Sequence, residues 1–160
     1  METSPKRFES GQEGWVAPLV EALLTDGLSV EITATGSSMS PFIRPGDVVV
    51  LDPLGSRSVR IGDVLGFLRD PGRLAIHRVV AGADGHWRLK GDGAGVEDAP
   101  VEPGAIVGRL RTVHRKGSPV RLGFGPEQRL IALLSRTGVL SRLVRATVVV
   151  SGLTTRRRGR

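Results

Sequence analysis

Ser37 and Ser38 sit in a Gly-Ser-Ser corner, within "TATGSSMSPFIRPGD", directly after an alternating apolar segment. A serine hydroxyl is a poor nucleophile by itself. It needs a base within hydrogen-bond reach and donors for the oxyanion formed on attack. A tight corner after a strand can supply both exposure and nearby backbone N–H groups, although such corners also serve as ordinary polar turns. The candidate bases are three histidines. His77 lies mid-strand in "LAIHRVV", flanked by apolar residues. An imidazole there must be hydrogen-bonded or face a cleft, and imidazole as a group suits general-base work near neutrality. His86 follows a turn and His114 lies in a basic segment; both are read as solvent-facing and receive no role. An orienting carboxylate completes such a site by accepting the N–H of the far ring nitrogen. "LKGDGAGVEDAPV" offers two, Asp92 and Asp98, in a glycine-rich loop after a strand.

The elements that must position these groups can be read from periodicity. "WVAPLVEALLTDG" places Val16, Leu19, Val20, Leu23 and Leu24 on one helical face, with Pro18 in the first turn and Gly27 as the stop. "LSVEITAT" switches to a period of two, the strand signature. "DVVVLD" reads as a short buried strand. Residues 62–92 read as three strands joined by turns at Asp70-Pro71-Gly72 and Ala83-Asp84-Gly85. "GAIVGRLRTVH" and "PVRLGF" are further strand candidates. From Gly125 the pattern becomes helical, with Pro126 at a helix start and Glu127 in the first turn. Leu130, Leu133 and Leu134, then Leu140, Leu143 and Val144, recur at helical spacing, and Gly138 separates the two groups. The expected fold is mainly β with an N-terminal helix and C-terminal helices. The expected organisation is a disordered stretch over residues 1–13 and a β domain with its leading helix over 14–124. Amphipathic helices over 125–150 and a basic tail over 151–160 follow.

Composition narrows the chemistry. A chain of 160 residues with 22 Gly and 10 Pro suits one small domain of short strands and many turns. The absence of cysteine excludes thiol catalysis, disulfides and cysteine-rich metal sites. No two histidines have a metal-ligand spacing, so neither a metal nor another cofactor is expected. The formal charge of +7, with the ending "TTRRRGR", favours anionic partners. Without a helix-turn-helix pattern or an aromatic platform, nucleic acid is not expected among them. Arg129, Arg136, Arg142 and Arg145 could lay the C-terminal helices on an anionic membrane surface. The favoured expectation is that the apolar faces of these helices pack on the β core. The polar start carries no signal-peptide core, and no apolar run reaches about 18 residues. The expected location is therefore the cytoplasm, with peripheral membrane contact as the variant.

In order, "GSSMSPFIRPGD", "GDVLGFLRD", "IHRVV", "LKGDGAGVED" and "GAIVGRL" resemble the type I signal peptidases and their relatives, the superfamily that includes self-cleaving repressors of the LexA type. The likeness covers residues 32–113, about half the chain. It implies a small coiled β-sheet domain and a serine endopeptidase acting on a precursor or leader peptide, with small residues beside the cut bond. The family's nucleophile is the serine directly before methionine, here Ser38. The residue opening the "HRVV" block is its base. Bacterial enzymes use lysine there, whereas those of archaea and of the eukaryotic secretory membrane use histidine, as this chain does with His77. The match for the third member falls on Asp98, and Asp92 matches a supporting acidic position. Met39 then borders the substrate cleft and Pro41 shapes the turn. Where bacterial enzymes carry an oxyanion-binding hydroxyl, two residues before the nucleophile, this chain has Gly36; Ser37 is the nearest substitute. Signal peptidases are membrane-anchored and this sequence shows no anchor, so the resemblance points to a soluble processing peptidase. The alternative is a non-catalytic peptide- or partner-binding module on the same fold.

Overall fold

The structure, a computed structural model, describes residues 6–8, 13–70, 73–83, 85–139 and 142. Its elements run β1 (Lys6–Phe8), α1 (Glu13–Thr25), β2 (Val30–Thr33), β3 (Val48–Asp52), β4 (Val64–Asp70), β5 (Arg73–Ala83), β6 (His86–Lys90), β7 (Ile106–Arg115), β8 (Ser118–Pro119) and α2 (Gln128–Arg136). A short 3-10 turn at Pro103–Ala105 leads into β7. The strands form one sheet in the order β1-β2-β3-β7-β4-β5-β6, with β8 paired to β7. Every pairing is antiparallel except the parallel contact of β1 with β2. The fold is thus mainly β with a helix near each end, as the periodicities predict.

Register irregularities at Val50/Leu51, Leu68/Asp70 and Val79/Ala81 interrupt the ladders. Each adds local twist, which coils the sheet. Because successive strand residues point to opposite faces, the sheet builds two cores. Val64 joins a cluster with Val20, Leu24, Val49 and Val113 beneath α1, while its neighbour Leu65 joins Phe67, Val79, Leu89 and Ile106 on the other side. Helix α1 stops where expected. Gly27 has φ of +81°, Leu28 N–H donates to Leu23 O at 2.9 Å, and Gly27 N–H donates to Leu24 O at 3.1 Å. These are the paired bonds of a glycine-terminated helix.

Four expectations need correction. Residues 6–8, read as part of a disordered start, form β1 on the edge of β2; the stretch is too short for periodicity to reveal. Pro18 lies inside α1, beyond its first turn, because the helix starts at Glu13. The strand expected through "PVRLGF" ends at Pro119, and only the Val120 N–H to Val113 O bond continues the ladder. Two of the three expected α2 leucines do not face the core: Leu130 and Leu133 are 59% and 57% exposed, Leu134 is half-buried, and Ile131, Ala132 and Ser135 are buried instead. A side-chain-free position dictates that choice. A Cβ on Gly62 would sit 3.0 Å from the backbone of Gln128, so α2 packs by its slimmer face directly on this glycine. The second expected helix beyond Val139, Leu143 and Arg145 included, and the basic tail lie outside the described residues, as do most of the first thirteen residues. Among the described residues no helix is long and apolar enough to cross a membrane.

Candidate active site

Ser38 sits in the turn that follows β2 and is exposed. Its corner is fixed by ordinary turn bonds, Ser40 N–H to Ser37 O at 3.0 Å and Ile43 N–H to Met39 O at 3.0 Å. Met39 is 3% exposed and plugs the α1 side of the core, so the residue beside the serine anchors the corner from below. The Ser40–Pro41 bond is cis. The "PGD" segment is structural: Arg115 donates to both Asp47 oxygens at 2.9 and 2.7 Å, and the Arg44 N–H adds a bond at 2.8 Å. Burial alone would raise the Asp47 carboxyl; the Arg115 and Arg44 bonds outweigh it and hold the group below its ordinary value.

His77 lies on β5 opposite Leu65 of β4, and its ring stands 5.8 Å from that of Phe67. Nε2 is 3.1 Å from Ser38 Oγ, and Nδ1 is 2.5 Å from Asp98 Oδ2. With the ring proton on Nδ1, donated to the carboxylate, Nε2 is an acceptor for the serine hydroxyl. The side chains of His77 and Asp98 are 6% and 4% exposed, so the pair is shielded while the serine is reachable. The Ser38 N–H donates to no carbonyl among the described residues, which leaves it available to an incoming oxygen. Gly36 is exposed and open, and a Cβ there would meet nothing within 4 Å. Ser37 is also exposed.

Of the remaining expected groups, Asp92 is displaced from the histidine. It is fully buried and receives Arg78 Nε at 2.9 Å and Nη2 at 2.8 Å. The guanidinium also donates to Gly62 O at 3.1 Å and lies 5.6 and 6.0 Å from the ring centroids of Phe42 and Phe124. Asp92 therefore neutralises the residue next to His77 and fixes the strand that carries it. His86 is exposed on β6 and His114 is half-buried on β7, each away from the serine corner.

Sequence reading missed three groups. Arg69 donates to the second oxygen of Asp98, so this carboxylate is held between a guanidinium and an imidazole. Its signal was an arginine on the face of β4 that Leu65 and Phe67 otherwise bury. Gly91 and Gly93 lie against the serine corner: Gly93 N–H donates to Ser38 O, and a Cβ on Gly91 would come within 2.5 Å of the same oxygen. Only the glycine-rich composition of their loop hinted at such an approach.

The site opens into a cleft of about 400 Å³. Its walls are residues 32–36 and residues 73–77, two unbroken stretches, so backbone as well as side chains face the opening. Among the described residues strand β6 pairs with β5 only from Arg78 onward. Among the described residues, β5 before Arg78 therefore presents a strand edge to the cleft, an arrangement suited to an extended peptide. Among the described residues no group of three or more acidic or histidine side chains is placed to hold a metal. Compared with models of known families and with curated proteins, the sequence matches none.

Proposed function

We propose that the chain is a serine endopeptidase of the type I signal peptidase kind, cutting a precursor or leader peptide with Ser38, His77 and Asp98. One observation carries the reading: an exposed serine oxygen, an imidazole and a shielded carboxylate stand in hydrogen-bonded sequence beside a cleft that the edge of β5 helps to wall. The resemblance of the surrounding sequence blocks supports it independently. His77 Nε2 takes the proton of Ser38 as Oγ bonds to the carbonyl carbon. The Ser38 N–H faces the developing oxyanion. Asp98 keeps the ring in its Nδ1–H form and stabilises the cation, while Arg69 steadies Asp98 from the far side. The C–N bond then breaks, His77 protonates the leaving amine, and water activated by the same nitrogen releases the acyl group.

A serine-directed fluorophosphonate read by intact mass tests this. Wild-type protein should gain one adduct on Ser38. Ser38→Ala should gain none, and His77→Ala at least about a hundredfold more slowly, with circular dichroism unchanged in both. Equal labelling of His77→Ala and wild type would overturn the mechanism. Peptide affinity without any labelling would favour the binding-module reading.

A further inference from the structure

The cleft has an asymmetry that the reaction itself does not require. Its lining mixes apolar side chains, Ile32, Met39 and Ile76 among them, with Thr33, Thr35 and the site residues. At its rim stand two arginines, Arg69 and Arg73, and among the described side chains no aspartate or glutamate lines it. Arg69 gives one nitrogen to Asp98. Arg73 is exposed, and its guanidinium has no carboxylate or carbonyl partner among the described residues. Register keeps the two close, since Leu68 pairs with Leu74 and Asp70 pairs with Arg73. A cleft that only had to accept small apolar residues would gain nothing from an exposed guanidinium at its mouth.

From this we infer that the cleft selects peptides carrying an acidic residue, with Arg73 as its specificity-determining residue. The inference deepens the peptidase reading and rests on it for the occupant being a peptide. Strand geometry fixes where the acid must be. Arg73 and His77 are four residues apart on β5, roughly 13 Å at the rise of a strand. A peptide lying along this edge with its reacting bond at Ser38 places the residue about four positions away beside Arg73. Its carboxylate then accepts from the guanidinium in a charge-assisted bond. A lysine at the same position meets the like charge of two guanidiniums, which are donors only.

The test is direct binding to Ser38→Ala protein, which removes turnover from the measurement. Fluorescent alanine-rich decapeptides carry a single Glu, Gln or Lys, walked along every position. At one position Glu should bind about tenfold tighter than Lys, the size expected for a partly exposed charge-assisted bond. Arg73→Glu should reverse the order, and added salt should compress it. Equal affinities for the three peptides, no binding at all, or a preference that survives Arg73→Glu would each overturn the inference. Fluorophosphonate labelling of the wild type runs in parallel. Labelling without acid preference removes only the inference. Acid preference without labelling removes the peptidase reading and leaves the selectivity standing.

Discussion

The Gly93 N–H donates to the carbonyl oxygen of Ser38 at 2.8 Å. Through this bond the loop that carries Asp98 also positions the serine. The same loop meets β6, where Asp98 N–H donates to Leu89 O at 2.9 Å. One segment therefore sets the distance from both ends of the imidazole, so backbone bonds as well as Arg69 hold the Ser38–His77–Asp98 line.

Gly91→Ala should uncouple folding from reactivity. The new Cβ would lie 2.5 Å from Ser38 O and 3.0 Å from Ser38 Cβ, so the corner must shift. Misplacement of a reacting group by about 1 Å can cost roughly a hundredfold in rate. Labelling of Ser38 should fall by about that factor, while the far-UV spectrum stays native. Unchanged labelling kinetics would show that the corner yields without moving the hydroxyl.

The two carboxylates of the loop should fail in different ways. Asp98→Asn leaves the buried cores untouched but replaces one of two acceptor oxygens with a donor, so Arg69 and the His77 Nδ1–H can no longer both be accepted and reactivity should drop by about 10³–10⁴. Asp92→Asn strands the fully buried Arg78 guanidinium and should cost about 3–5 kcal/mol in stability. Urea denaturation and probe labelling on both variants separate the roles. Equal losses of stability would contradict the division.

Local chemistry explains what the sequence disclosed. A period of two marked β2 and turn-bounded runs marked β4 to β6; the serine corner, His77 and the loop of Asp92 and Asp98 stood out by residue type, and resemblance to a family chose Asp98. The partners that hold them were hidden because they depend on register. Arg69 reaches Asp98 across 29 positions of chain, and Arg78 reaches Asp92 across 14. Periodicity shows which face a residue takes, not which residue meets it from the next strand. Helix α2 illustrates the limit from the other side. Its leucines had the stronger claim to burial by hydropathy, yet close approach to Gly62 selected Ile131, Ala132 and Ser135. Tertiary packing overrode the stripe.

Gly36→Ser should raise activity. The position is exposed, and a side chain there meets no atom within 4 Å. A hydroxyl two residues before the nucleophile would add a second oxyanion donor to the lone N–H of Ser38. Removing one such donor elsewhere costs about 10²–10³ in rate. Adding one without an evolved surround should recover part of that, roughly tenfold in cleavage of an acid-containing peptide. A rate at or below wild type would mean that the hydroxyl cannot face the oxyanion here.

Acid sensitivity should trace in part to Asp47. Its folded-state pKa is depressed because the bonds from Arg115 and Arg44 outweigh the opposing effect of burial. A depressed carboxyl stabilises the fold fully above its unfolded value, about 3.9, and this contribution disappears as pH falls through the folded value. Asp47→Asn removes the charge that Arg115 clasps and should cost about 1.5–3 kcal/mol at neutral pH. Because the contribution is absent in acid for both proteins, the stability gap between them should close as pH drops below about 4. Urea midpoints measured from pH 7 down to pH 2 would check the sign. A gap that stays constant over that range would show that the acid sensitivity does not arise at Asp47.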